Sequence, residues 1–400
     1  MGRRLDFFAR RVHFVDHLAP IWRCLGADVR GVFWVPEALV DYAGMRGVAA
    51  AGLRPVRRQM PVMEVWPERS TSPNPVLCCA YHDMEQVWKS DRRRPLFLME
   101  HGVGLTPGVS VDGTERLHPG YAGGLGLREK VALFLAPNGF IAGKTQRAIP
   151  SAKQVVIGTP KMDPWAPGAQ GGPMLDAVAP GAQGSEQNAE LQCAGGTLAP
   201  QLLQEQDLQC AGGTPAPQLL QLRQGPPVVA VSFHWDGSRV CPEAGNAWPY
   251  FRHGLPALAE RYTVLGHGHP KGLFRFRRDY DALGIEVVED FEEVLARADC
   301  YVNDCSSTMY EFACVDRPVV VCNAPWFRRD VDYGIRFWRW SDVGVECNGP
   351  GTLADSVALA LEDRADQAAK RRGAVVDLYP YLGESAARAG KILTAVMSDE

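Results

Sequence analysis

Short apolar runs, each bounded by glycine, proline or charge, alternate along this chain with stretches of helical spacing. In the first part, Val32 to Val35, Val76 to Ala80, Leu96 to Met99, Val131 to Leu135 and Gln154 to Ile157 have the length and continuity of buried strands. In the second, Pro227 to Phe233, Thr263 to Leu265, Ile285 to Val288, Cys300 to Val302 and Pro318 to Cys322 repeat the pattern. Helices are expected between them at Tyr250–Tyr262, Phe274–Leu283 and Phe291–Ala298, and two or so amphipathic helices from Gly351 onward. Strands that are apolar throughout belong to parallel sheets covered on both faces. Two α/β domains are therefore expected, at about 1–163 and 227–400.

The alternation stops between 164 and 226, where Gly, Pro, Ala and Gln dominate. Leu191 to Gln204 recurs as Leu208 to Gln221 with one change, Leu198 to Pro215. Two copies are too few for a solenoid, which needs about three to bury a core. This composition predicts a disordered or loosely helical linker.

The first 25 residues mix Arg3, Arg4, Arg10 and Arg11 with Leu5, Phe7, Phe8, Val12, Phe14 and Val15. That pattern suits a basic helix resting on an anionic membrane, although such a segment is more often a core helix with a solvated face. Peripheral membrane contact through this segment is an expectation to test.

Composition narrows the class. Of 400 residues, 46% are hydrophobic and 22% charged, as in a globular protein with a large core. The formal net charge of −4 gives no basic surplus, so no nucleic-acid partner is expected. No apolar run reaches the roughly 18 residues of a bilayer span, and no signal-peptide pattern follows Met1. The eleven cysteines form no CxxC pair and several fall in expected strands, which fits a reducing cytoplasm.

The chemistry concentrates at strand ends. Asp304-Cys-Ser-Ser-Thr-Met-Tyr-Glu311 follows a buried strand and opens a helix, which offers backbone N–H groups and hydroxyls to a diphosphate. Ser307 and Glu311, four apart, share one helix face. His101-Gly102 follows the strand Leu96–Met99, and Val264-Leu-Gly-His267-Gly-His269-Pro270 places a second histidine after a strand of the other half. Imidazole suits proton transfer near neutral pH. His267 and His269 alternate along a strand, but no third ligand accompanies them, so no metal site is expected. Neither a Walker A motif, nor GxGxxG after the first strand, nor GxSxG is present.

Five ordered segments together resemble the CDP-glycerol glycerophosphotransferase family: His101-Gly102, Gly158-Thr-Pro-Lys-Met-Asp163, His269-Pro270, the helix Asp290–Ala298, and Asp304 to Glu311. The resemblance implies a GT-B fold, two Rossmann-like domains facing a cleft. It implies a CDP-activated polyol donor and a polyol, glycan or lipid-linked acceptor, with release of CMP and no cofactor, in cell-wall or surface polymer synthesis. It implies that His101 is the base, that His269 stabilises the donor phosphates or acts as acid, and that Gly102, Ser306, Ser307, Thr308, Glu311 and Asp163 bind substrate. A cytoplasmic location, at the inner face of the membrane, goes with it.

The chain departs from that pattern at Glu100, where a tryptophan is usual, and has no lysine after His101-Gly102. Phe233-His-Trp-Asp236 lacks the usual arginine, and Cys305 replaces a tyrosine. A nucleotide-sugar glycosyltransferase or a UDP-N-acetylhexosamine 2-epimerase-like enzyme shares the His-Gly and His-Pro positions. A nucleotide-binding module without turnover is the non-enzyme alternative.

Overall fold

The computed structural model describes residues 3–53, 55–57, 64–65, 73–103, 108–111, 114–117, 130–167, 225–236, 245–270, 272–327 and 338–398. The tandem repeats, and with them the disorder expected of 168–224, lie outside the described residues.

The strands in chain order are β1 Leu5–Phe8, β2 Arg30–Pro36, β3 Ala50–Leu53, β4 Pro55–Arg57, β5 Glu64–Val65, β6 Val76–Cys78, β7 Leu96–Met99, β8 Gly108–Val111, β9 Thr114–Leu117, β10 Val131–Ala136 and β11 Lys153–Val156. The second part adds β12 Val228–Phe233, β13 Thr263–Gly268, β14 Glu286–Val287, β15 Cys300–Asn303, β16 Val319–Cys322 and β17 Val345–Cys347. They form two wholly parallel sheets, β11-β10-β7-β6-β1-β2-β3 and β14-β13-β12-β15-β16-β17, beside two short hairpins, β4-β5 and β8-β9. In each sheet the first strand sits inside, with its successors to one side and later strands to the other. Such an order creates a switch point, between β1 and β6 and between β12 and β15, where flanking loops part and ligands bind.

Strand bounds follow the apolar runs closely, with instructive exceptions. β1 was not expected, because Leu5, Phe7 and Phe8 read as one face of a helix. Its Asp6 is fully buried and held by Arg94, by the Val32 N–H at 2.8 Å and by the Asn74 amide at 3.0 Å. β13 runs past Leu265 to Gly268 because its glycines admit aromatic rings. A Cβ on Gly266 would lie 2.7 Å from the Tyr280 ring, and one on Gly268 2.9 Å from Phe276. The helix expected at Tyr250–Tyr262 breaks into Trp248–Phe251 and Leu255–Arg261, where Gly254 passes so close to Pro350 that a Cβ would meet its carbonyl oxygen at 2.4 Å.

The membrane expectation for the first 25 residues is corrected by the core. Leu5, Phe7, Phe14, Val15, Leu18, Ile21 and Trp22 are all buried in one cluster over the first sheet, so the apolar face is covered by protein. Among the described residues, no helix is long and apolar enough to cross a membrane.

Three helices close the chain: Leu353–Leu361, Ala365–Leu378 and Ser385–Ser398. The last crosses back to the first sheet, where Ala389, Leu393 and Met397 pack with Leu18 and Trp22. Its N-terminus is tied down by Asp163, whose Oδ1 accepts from the Gly383 and Ser385 N–H groups and whose Oδ2 accepts from Ala386 at 2.7 Å.

Candidate functional site

The N-terminal side of the site is built on β7 and β6. His101 follows β7, and its Nδ1 lies 3.0 Å from the carbonyl oxygen of Cys79, the residue after β6. A carbonyl only accepts, so the neutral ring carries its proton on Nδ1 and presents Nε2 as a lone pair. Glu100 Oε1 accepts from the His101 N–H at 2.9 Å and the Gly102 N–H at 3.2 Å. Glu100, which departs from the resembled pattern, therefore fixes the turn that carries His101. The Gly102 N–H is consequently occupied rather than offered to substrate.

His13 and His17, one turn apart on the helix Val12–Cys24, join His101 with ring centroids at 5.9 Å and 6.0 Å. Sequence reading assigned neither a role, since helical spacing alone does not reveal which strand end they meet. Burial first, then His101 and His269, push the His13 imidazole down to about 2. Complete burial holds His17 well below its ordinary value. His269 lies near enough to lower the His13 pKa as well, so strand ends of both sheets come close here.

On the C-terminal side, His269 follows β13, with its ring 5.6 Å from His234 and 6.2 Å from Trp235. Asp304 organises the loops after β12 and β15, since its carboxylate accepts from the N–H groups of His234, Ala247 and Cys305. Ser306 Oγ accepts from the Thr308 N–H at 3.4 Å, and Thr308 Oγ1 pairs with the Tyr301 hydroxyl at 2.8 Å. Both hydroxyls expected to bind substrate thus also have partners within the loop, and Ser306 Oγ keeps its own proton to donate. Ser307 opens the helix Thr308–Ala313 without a side-chain cap bond, and among the described residues its hydroxyl has no partner.

His267 is buried in β13, its Nδ1 3.0 Å from Ser232 Oγ, and burial pushes it down to about 4. Among the described residues, no group of three or more His, Cys, Asp or Glu could hold a metal ion.

Glu311 is buried, and its Oε2 receives Lys161 Nζ at 2.7 Å across the junction. Burial works against the Lys161 ammonium, but Glu311, Asp16 and Glu292 outweigh it and hold its pKa above the ordinary value. Arg46 adds a second tie, 2.9 Å from Asp16 and 2.9 Å from Glu292. Asp163, expected to bind substrate, has its carboxylate accepting from three N–H groups at the head of the last helix. The site thus assembles His101, His269, Ser307 and Glu311, adds His13, His17, Glu100 and Lys161, and leaves Asp163 as a cap.

Comparison with known proteins finds a family match over one segment and a shared fold. Residues 255–343 match the model of the CDP-Glycerol:Poly(glycerophosphate) glycerophosphotransferase family. That stretch contains His269 and the whole of Asp304 to Glu311. No curated protein matches the chain. Among solved structures, the wall teichoic acid polymerase TagF soaked with CDPG is 14% identical, with a TM-score of 0.58 over 99% of this chain and 89% of that one. MnaA of S. aureus with UDP is 11% identical, at a TM-score of 0.54 over 100% and 97%. A glycosyltransferase from Rickettsia africae is 10% identical, at 0.51 over 100% of both. At these identities the likeness is one of fold. The chain therefore has a GT-B fold, and the resemblance read from its sequence to the CDP-glycerol glycerophosphotransferase family is shown.

Proposed function

We propose that this chain is a transferase that moves a glycerophosphate-type group from a CDP-activated polyol to an acceptor hydroxyl and releases CMP. The observation that carries the reading is the pairing of a family match over the His269 and Ser307 side with a tautomer-fixed His101 on the other. A base from one half and phosphate-binding groups from the other, meeting at two switch points, suit in-line transfer between a donor and an acceptor.

His101 Nε2 takes the proton of the acceptor hydroxyl as its oxygen attacks the phosphorus that bears the polyol. The new P–O bond forms as the bond to the cytidine phosphate breaks, and CMP leaves with the electron pair. His269 and Ser307 donate hydrogen bonds to the diphosphate, where charge develops. Glu311 meets the donor's ribose or polyol hydroxyls. The acceptor is a polyol, glycan or lipid-linked polymer end, and the reaction belongs to synthesis of a surface polymer.

Thermal stabilisation by CMP, CDP, CDP-glycerol, UDP and UDP-sugars, with and without a chelator, tests the donor class. A ligand at about 100 times its dissociation constant adds roughly 2.7 kcal/mol. Selective stabilisation by cytidine nucleotides, with CMP released from CDP-glycerol, is the expected result. Preference for uridine nucleotides would move the assignment to a nucleotide-sugar enzyme.

A further inference from the structure

Lys161 stands where the two halves meet, on the 3₁₀ turn Pro160–Trp165 that follows β11. Both of its neighbours are anchored. Met162 is fully buried in a cluster with Phe291, Tyr310 and Phe312 of the second half, and Asp163 caps the last helix. The Lys161 backbone is therefore held in place before its side chain reaches out. Its Nζ lies 2.7 Å from Glu311 Oε2 and 5.5 Å from the centre of the Phe291 ring. One ammonium thus touches the first residue of the helix Phe291–Arg297 and a residue of the helix Thr308–Ala313.

Glu311 is the group this arrangement controls. Lys161 holds one carboxylate oxygen, and among the described residues the other, Oε1, makes no hydrogen bond. Ser307, one turn earlier on the same face, also keeps a hydroxyl without a partner among the described residues. Both lie after β15, at the switch point of the second sheet. For stability alone, a buried ion pair is no better than apolar packing of equal volume. A carboxylate pinned at one oxygen and open at the other is suited to accept from a hydroxyl at a fixed place. A second bridge supports the same geometry. Arg46, from the first half, lies 2.9 Å from Glu292 and 3.9 Å from Asp290, at the start of the Phe291 helix.

We propose that Lys161 is a positioning residue that sets donor specificity. It aims Glu311 Oε1 at a hydroxyl of the donor, so recognition of that hydroxyl needs both halves in contact. The hydroxyl belongs to the ribose or to the transferred polyol, and that choice of donor rests on the transferase reading. Glu311 touches the ligand, and Lys161 acts only through it. An apolar side chain at position 161 leaves the carboxylate free to turn. Discrimination between a ligand with the hydroxyl and one without it then falls.

Calorimetric titration of wild type, Lys161→Met and Lys161→Arg with CMP, its 2′- and 3′-deoxy forms, CDP and CDP-glycerol tests this role. Affinity ratios are read, because a partly unfolded variant loses affinity for every ligand by the same factor. Wild type is expected to prefer CMP over a deoxy form, or CDP-glycerol over CDP, by about tenfold or more. Loss of the first preference in Lys161→Met puts the hydroxyl on the ribose, and loss of the second puts it on the polyol. Lys161→Arg, which keeps a cation beside the carboxylate, should retain most of the preference. Lys161→Gln replaces the methionine variant if that one does not fold. Ratios unchanged by the substitution, no preference in wild type, or no binding of these nucleotides or their uridine counterparts would overturn the role. Where uridine nucleotides bind instead, the same ratios are read with them. Turnover is measured separately. A chain that loses a preference in Lys161→Met but releases no CMP from CDP-glycerol keeps this role and loses the transferase reading, and CMP release with unchanged ratios does the reverse.

Discussion

Lys161 Nζ lies 2.7 Å from Glu311 Oε2, joining the loop that follows the first sheet to the short helix at the switch point of the second. Their side chains are 12% and 6% exposed, so neither charge is well solvated and each depends on the other. The pair ties the two halves together and orients a carboxyl group of the proposed donor side.

Removing one partner strands the other. Lys161→Met is expected to cost about 3–5 kcal/mol, measured by urea unfolding at pH 7, whereas Lys161→Met with Glu311→Leu recovers most of the loss. The Lys161 pKa is raised above its ordinary 10.5 in the folded chain. Its contribution is therefore complete below that value and is lost only as the pH climbs through the higher folded one. Stability from this pair should be level through the neutral range and fall in strong alkali.

Acid acts on the other side of neutrality. His13, His17 and His267 are all held below their ordinary 6.5, His267 at about 4 and His13 at about 2. The unfolded chain takes up protons below pH 6.5 that the folded chain refuses, so stability falls as pH drops from 6.5 toward 4. Each group contributes up to about 1.4 kcal/mol per pH unit. His17→Gln should lower the slope of unfolding free energy against pH by about one proton, and an unchanged slope would show that His17 is charged when folded.

Asp163 separates anchoring from binding. Asp163→Ala removes the acceptor for three N–H groups at the head of the last helix, and a loss of about 1–2 kcal/mol in unfolding free energy is expected. Nucleotide affinity should stay within twofold of wild type, and a larger fall in affinity than in stability would return Asp163 to the substrate. Gly158→Ala tests the same corner. Its φ is +87°, and a Cβ would lie 2.3 Å from Ser385 Oγ, so the substitution should destabilise by more than 1 kcal/mol, roughly the cost of glycine's special backbone alone.

The orientation of His101 can be seen directly. Nitrogen NMR of the neutral ring should show a protonated Nδ1 and a bare Nε2, as the Cys79 carbonyl requires. His101→Ala is expected to lower turnover about 10²- to 10⁴-fold while leaving cytidine-nucleotide stabilisation intact. A variant that keeps wild-type turnover would exclude His101 as the base.

Much of this architecture is written locally. Apolar runs such as Leu96–Met99 and Val319–Cys322 exclude water on both faces, so their length and parallel pairing follow from composition alone. The strand-end positions of His101, His269 and the segment Asp304 to Glu311 follow in turn, because a polar residue after such a run marks where the sheet stops. Tertiary structure decided what each side chain is left free to do. Asp163 finds three N–H groups more than 200 residues away in sequence, Thr308 finds Tyr301, and Lys161 rather than solvent meets Glu311. It also turned Leu5 to Phe8 from an amphipathic face into a central strand, and brought His13 and His17 beside His101. A sequence shows which groups can donate, accept or carry charge. Only the fold sets the distances at which burial and hydrogen bonding consume some of those capacities and leave others for a ligand.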